Sequence, residues 1–451
     1  MMESNVQGPN NDKKLDLNKP CRITNINFEG VYRTRPTLLA RIVADIFQSN
    51  SLLDFLQKST QVRENLANLN AFSDVDLQAT RANDSEEDSY EVTFVVKERN
   101  WVNGGLQTTV DNRSAHMNFK LAFPNRSGLG DSIEFRLNER VASMECRYSI
   151  PLMPWRNLWN PTYSLAYNQY QWDPQPSGYD QDDKSLINQI DFVSLPSLQH
   201  TISFENIWRN IKGGSQTIPI EIREQFGHSL KSSLKHVMTW DNRIGGNFPY
   251  EGMMAKFSNE TTTNLVKGGA RFTRHEANLQ LNALLLPKYD VICQANLLSG
   301  TLLRARKLNI CDKFFAGGPL TLRGFKYQGL EPNVNGHPLG DASYLSAGLH
   351  IYSILPYTSL DSPINEYVRP HIFFNTGTIG DISELWRIRS REDVRREALR
   401  FRDSLRYSCG FGLVMYFMRL RLEINYSFPL IFKKNDLKER GLEWGLGMTY
   451  T

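Results

Sequence analysis

The residues with the most distinctive chemistry are a single cation in an apolar, glycine-rich setting. Residues 314–325 read Phe-Phe-Ala-Gly-Gly-Pro-Leu-Thr-Leu-Arg-Gly-Phe. The stretch is too rich in Gly and Pro for a strand interior and too apolar for a solvated loop. Gly317 and Gly318 let the backbone turn tightly and lie close to a wall. Arg323, between Leu322 and Gly324 and followed by Phe325, offers a planar guanidinium to one defined partner. That is recognition chemistry, not bond-breaking chemistry. No nucleophile elbow, P-loop, HExxH or HxH accompanies it, so no catalytic residue is expected and the chain is not read as an enzyme. The five cysteines, Cys21, Cys146, Cys293, Cys311 and Cys409, lie far apart without a CxxC. They fit neither a zinc site nor a disulfide framework, and no metal or cofactor is expected.

The elements that position such a loop follow from patterning. The chain has 451 residues, with 52 basic against 48 acidic side chains. A net charge of +4 gives no case for a nucleic-acid partner. No run of 18 apolar residues exists, so a transmembrane helix is excluded, whereas a membrane β-barrel is not, because only alternate barrel residues need be apolar. From residue 101 onward strands alternate. Met117, Phe119, Leu121 and Phe123 do so, as do Ile133, Phe135 and Leu137, and Leu279, Leu281, Ala283 and Leu285. The longest run sets Met418, Leu420, Leu422, Ile424, Tyr426 and Phe428 against Arg419, Arg421, Glu423 and Asn425. An apolar face for lipid and a charged face for a lumen describe a transmembrane β-barrel. A soluble sandwich also alternates, but its strands average about five or six residues. At roughly 22 residues per strand and connection, residues 101–451 hold about 16 antiparallel strands. Residues 391–402 read as a charged loop helix and residues 173–184 as an exposed Pro- and Asp-rich loop.

Residues 1–19 are polar, mixed in charge and read as a disordered tail. They lack an apolar signal region, which points to synthesis in a cytosol. Residues 20–100 read as a small α+β domain of order β-α-α-β-β. Strands fall near residues 23–28, 72–77 and 90–96, with an acidic turn at 84–88. Thr37 is placed as the cap of the first helix, whose apolar face is Leu38, Leu39, Ile42, Val43 and Ile46.

With these residues in place, the chain resembles the superfamily of outer-membrane assembly barrels that carry polypeptide-transport-associated (POTRA) domains, and within it the mitochondrial sorting and assembly machinery core barrels. The β-α-α-β-β order with residues 70–75, NAFSDV, resembles the POTRA pattern. Residues 125–131, NRSGLGD, resemble the family's first hairpin turn. Asp241, Arg243, Pro249 and Gly252 fit its D-x-R-x(5)-P-x-x-G signature. Residues 315–318 with Leu322, Arg323, Gly324 and Phe325 resemble its hallmark lumen loop, Leu322 standing where Val or Ile is usual. In bacterial relatives the loop arginine meets acids on the inner wall. Here Gly348 and Asn375 occupy the positions where acids are expected, so the partner of Arg323 stays open between another lumen carboxylate and backbone carbonyls.

The resemblance implies a membrane insertase that folds β-barrel precursors into the mitochondrial outer membrane, the N-terminal domain facing the intermembrane space. Its partners would be unfolded barrel precursors, accessory subunits of the assembly complex and the lipid bilayer. The closing seam would join a first strand containing Gly104 and Gly105 to a last strand containing Gly445 and Gly447. Glycine loosens a strand, and a seam that parts exposes an edge for strand addition. In the last strand Glu443, Gly445, Met448 and Tyr450 fit the polar-x-Gly-x-x-apolar-x-apolar sorting signal of mitochondrial barrels. Two other readings are a passive or protein-translocating pore of the same architecture, with the loop as its plug, and a soluble β-rich binding protein.

Overall fold

A computed structural model describes residues 19–81, 89–110, 115–138, 143–152, 159–172, 175–195, 197–213, 218–262, 271–306, 308–360, 362–380, 401–417 and 420–448. The expected tail up to residue 18, the acidic turn at 84–88, the stretch 391–400 and Tyr450 lie outside these residues. The chain divides into two compact units, one comprising Met1–Asn103 with Phe123–Ile133 and the other Gly104–Ala122 with Glu134–Thr451.

In the first unit, β1 (Arg22–Glu29), α1 (Pro36–Val43), α2 (Leu52–Asn68), β2 (Phe72–Arg81) and β3 (Ser89–Glu98) follow the expected order. The sheet runs β1-β3-β2, with β1 parallel and β2 antiparallel to β3. Ile46, Leu66, Phe72 and Phe94 are fully buried in a core shared by sheet and helices. Thr37 is not the helix cap. Pro36 begins α1, its fixed φ being suited to a first helical turn, and Arg35 precedes it without a side-chain cap. In α2 the Ser51 hydroxyl does cap, accepting from Asp54 N at 3.2 Å. Glu98 ties the unit together. Its carboxylate accepts from Arg33 N, Thr34 N and the Thr34 hydroxyl at 2.7–3.2 Å. The Thr34 oxygen in turn accepts from Asn125 Nδ2 at 2.8 Å. The turn at 125–131 therefore belongs to this unit, although a division at residue 100 was expected.

In the second unit sixteen strands form one sheet. They are β4 (Asn103–Val110), β5 (Ala115–Pro124), β6 (Ser132–Asn138), β7 (Met144–Pro151), β8 (Trp159–Gln171), β9 (Asp180–Leu195), β10 (Leu198–Lys212), β11 (Gly227–Asp241), β12 (Gly252–Thr262), β13 (Arg271–Leu286) and β14 (Val291–Arg306), and after the long loop β17 (Ser343–Tyr352), β18 (Val368–Ile379), β19 (Arg406–Phe417), β20 (Leu420–Ile431) and β21 (Gly441–Met448). Within that loop β15 (Asn333–Val334) and β16 (His337–Pro338) make a small hairpin. Sequential strands pair antiparallel, and β14 pairs with β17 across the loop. β4 and β21 are the two ends of the order. The expected alternation holds on β20, where Glu423, Asn425 and Ser427 are buried while Ile424 and Tyr426 are exposed. Exposed Phe374, Phe411, Leu281 and Trp444 continue the apolar exterior, as a lipid-facing barrel requires.

The expected loop at 173–184 is corrected. Residues 175–179 do turn, but β9 begins at Asp180, and Asp180 and Asp182 are paired with Lys212 and Asn210 of β10. Its acidic residues are strand residues because Asp183 accepts from Trp172 Nε1 and Gln181 Nε2 and Asp182 meets Lys212 Nζ at 2.7 Å. Local partners outweigh the poor strand propensity of Asp.

Candidate functional site

The connection of residues 308–342 follows β14 at one end of the barrel and sends its middle into the lumen. A short 3-10 turn, Ile310–Asp312, starts it. There Asp312 receives Arg209 Nη1 at 2.8 Å and Lys231 Nζ at 3.4 Å. Burial alone would push the Asp312 carboxyl up, but these two cations hold it below the usual carboxylate range. Gly317 has φ of 110°, and a Cβ there would lie 2.5 Å from Lys326 O. Only glycine fits that approach. Leu322 N closes a turn onto Gly318 O at 3.1 Å, and Leu322 and Phe325 are fully buried. The far side of the loop is fastened to the β20–β21 connection by Glu331 N, which donates to Asp436 Oδ1 at 3.0 Å, and Asp436 is itself held by Arg406 of β19 through two hydrogen bonds of 3.0 and 3.1 Å, both of these side chains being inaccessible to solvent.

At the tip, Arg323 meets Glu423 of β20. Nε donates to Oε2 at 3.0 Å and Nη2 donates to Oε1 at 2.9 Å and to Oε2 at 2.6 Å. Arg323 is 3% exposed and Glu423 0%. A buried ion pair is tolerated only when geometry is good and the remaining polar atoms are satisfied. The fork geometry meets the first condition, and the Glu423 oxygens meet the second. Asn425 Nδ2 donates to Glu423 Oε2 at 2.9 Å, and Arg421 Nη2 reaches Glu423 Oε1 at 2.7 Å. The Arg323 guanidinium also lies over the Phe373 ring, 5.2 Å from its centroid. Beyond Arg323, Gly324 N donates to the Glu443 carboxylate at 3.2 Å, and the Ser427 hydroxyl contacts the same group. The site thus gathers two guanidiniums and two carboxyl groups inside a β wall. Its arrangement can hold a loop in one place; among the described residues no group of His, Cys, Asp and Glu suits a metal ion.

The positions expected to carry acids, Gly348 and Asn375, are register partners on β17 and β18. The acid lies two strands further on, in β20. Sequence reasoning placed Glu423 on the charged face of its strand without assigning it to Arg323; its signal was that position among apolar neighbours. Arg421, Arg406, Asp436 and Phe373 were missed as site residues. Gly445 and Gly447 sit on the inward face of β21, Gly445 directly opposite Glu423. A Cβ at Gly445 would lie 2.9 Å from Pro319 Cβ, and one at Gly447 2.8 Å from Leu320 Cδ1. These glycines make room for the loop. Gly104 and Gly105 of β4 have no such neighbour: a Cβ at Gly104 would only touch Lys120 O at 4.0 Å, and one at Gly105 would meet nothing. Glu443 of the expected sorting signal points inward, the side chain of Met448 lies outside the described residues, and so does Tyr450.

The model of the Omp85 superfamily domain matches residues 73–450. The chain is 28% identical to the Xenopus laevis sorting and assembly machinery component 50 homolog B, covering 97% of this chain and 93% of that protein. It is 27% identical to the human sorting and assembly machinery component 50 homolog, covering 98% and 93%. Among solved structures it is similar to BamA from Haemophilus ducreyi lacking POTRA domains 1-3, with a TM-score of 0.71 at 15% identity, covering 95% of this chain and 85% of that one.

Proposed function

This chain belongs to the Omp85 superfamily, and from that premise we propose that it folds and inserts β-barrel precursors into the mitochondrial outer membrane by templating strands at a gate between β4 and β21. The observation that carries the reading is the lumen loop locked to the wall beside the last strand: Arg323 on Glu423, Gly324 on Glu443, and Leu320 against Gly447. A loop so placed reads the position of β20 and β21, the strands that must shift if the seam is to part. The end strands favour parting. Glycines at 104 and 105 loosen the register of β4 and lower the cost of separation. An unpaired edge in hydrocarbon is unsatisfied, so a precursor strand entering there is favoured.

On this reading the N-terminal unit is a POTRA-like domain in the intermembrane space that receives unfolded precursors, and Glu443, Gly445, Met448 and Tyr450 form the sorting signal of the chain's own last strand. The full-length similarity to proteins named as sorting and assembly components supports both the location and a complex with accessory subunits. The reaction makes no covalent bond. Depletion tests the proposal: loss of the protein lowers the steady-state level of other outer-membrane barrels, whereas loss of a passive pore would spare them, and unchanged barrels would overturn the reading.

A further inference from the structure

A second element enters the lumen from the opposite end. It is the β11–β12 connection, residues 242–251, framed by the D-x-R-x(5)-P-x-x-G signature whose purpose the function above leaves unexplained. Asp241 clamps Arg243, accepting from its N, Nε and Nη2 at 3.1, 2.9 and 2.6 Å. Gly252, at φ 95°, brings the returning strand so close that a Cβ would lie 2.5 Å from Asn242 O. Tyr250 N donates to Ile244 O at 3.0 Å, closing the tip. From this turn Phe248, 8% exposed, packs against β17 and β19, while Asn247 Nδ2 donates to Glu366 O at 3.1 Å. The Phe248 ring lies edge-on to Tyr416 at 4.8 Å and tilted against Tyr352 at 5.5 Å.

Those two tyrosines hold Arg421. Its Nη2 donates to the Tyr352 hydroxyl at 3.0 Å and its Nη1 to the Tyr416 hydroxyl at 3.2 Å. Nη2 also meets Glu423 Oε1 at 2.7 Å, the carboxylate that Arg323 grips. One unbroken series therefore runs from Phe248 through the tyrosine pair, Arg421 and Glu423 to Arg323. We propose that the 242–251 turn is a positioning element for the lumen loop: Phe248 sets Tyr352 and Tyr416, they orient Arg421, and Arg421 aims Glu423 at Arg323. Phe248 and Arg421 are positioning residues for insertion, a claim that rests on the insertase reading above. Glu423 needs such help because two guanidiniums compete for one carboxylate, and a carboxylate free to swivel toward Arg421 alone would release the loop. The relay also means that a precursor or partner displacing the turn from its own end loosens the loop that entered from the other.

The test uses full-length protein in proteoliposomes with two readouts, insertion of a barrel precursor and hydrogen exchange of the backbone amides in residues 316–330. Phe248→Ala is expected to speed exchange in 316–330 and slow insertion, each by about two- to tenfold, the range an aromatic contact commands. In an Arg323→Ala background it adds no further loss of insertion, since both act on one contact. Arg421→Lys reproduces the effect, because a single ammonium cannot span two hydroxyls and a carboxylate. Should Phe248→Ala fail to fold, Phe248→Leu keeps the apolar volume, drops the edge-on contact and carries the same readouts. Faster exchange confined to 242–251, or losses of Phe248→Ala and Arg323→Ala that multiply, would overturn the proposal. Wild-type protein that inserts nothing would instead overturn the insertase reading, while the exchange measurement still decides the relay.

Discussion

Replacing Glu423 by Gln isolates the contact on which the loop depends. The change keeps the side chain's shape and removes its charge. In the native site the carboxylate accepts from Arg323 Nε and Nη2, from Arg421 Nη2 and from Asn425 Nδ2, all within 3.0 Å. A glutamine has one oxygen for these four donors, and its amide N–H groups point at guanidinium N–H groups. Removing one partner of a buried pair typically costs about 3–5 kcal/mol, because the other charge is left uncompensated. Here two guanidiniums are left, but water entering the lumen solvates part of that charge, so about 2–3 kcal/mol of loop docking is the working figure. At 25 °C this raises the undocked fraction by about 30- to 150-fold. The barrel itself, held by its ladders, persists. The assay pairs assembly of a radiolabelled barrel precursor with limited proteolysis of the 308–342 loop. Assembly falls by at least tenfold, the loop becomes cleavable, and the heat-modifiable mobility of the barrel on a semi-native gel is unchanged. Arg323→Lys should retain part of the activity, since one ammonium replaces a planar fork. Glu423→Gln protein that assembles precursors normally with a protected loop would refute the reasoning.

Two further outcomes test other parts of the molecule. If insertion requires β4 and β21 to part, a cysteine pair with one member among residues 104–109 and the other among 443–448 should block precursor insertion when oxidised and restore it when reduced; several pairs are needed, because Cα atoms must lie about 5.5 Å apart. A crosslinked barrel inserting at the normal rate would rule out parting of the seam. The second concerns acid stability of the N-terminal unit. Burial alone would raise the Glu98 carboxyl, but hydrogen bonds from Thr34 and Arg33 hold it at about 2, against an ordinary 4.5. A depressed folded value means its stabilisation is complete above pH 4.5 and is lost as pH falls toward 2, amounting to about 2 kcal/mol after allowance for solvent screening. Thermal melts of this unit within the full-length protein should drop over that window, and Glu98→Gln should be less stable at pH 6 and flatter with pH; equal slopes would sink the assignment.

How far the sequence reaches differs from element to element. The lipid and lumen faces of β20 were legible because period-2 alternation is a local property, and the Arg323 loop was legible because its composition suits neither strand nor solvent. The partner of Arg323 was not, since Glu423 stands 100 residues away and only the strand order and register bring it opposite the loop. Gly445 and Gly447 were read as weak points of a strand; their steric role depends on Pro319 and Leu320 lying against them. Asp180 and Asp182 looked like loop residues because propensity knows nothing of Asn210 and Lys212 across the ladder. The Phe248 turn was visible as a motif, but where its ring would go was a tertiary fact.

The sequence separations within the loop site bear on how the chain itself matures. Arg323 is bound by a residue 100 positions later, Gly324 by one 119 positions later, and Glu331 N by Asp436, 105 positions later. None of these partners exists for a nascent chain that has made only its first fourteen or so strands. The loop must wait, unlodged, until β20, the β20–β21 connection and β21 have formed, and such non-local closures are the slow steps of folding. Docking of the loop is therefore a completion signal: a barrel truncated before Glu423 keeps most of its wall yet leaves the loop unfastened and open to proteolysis.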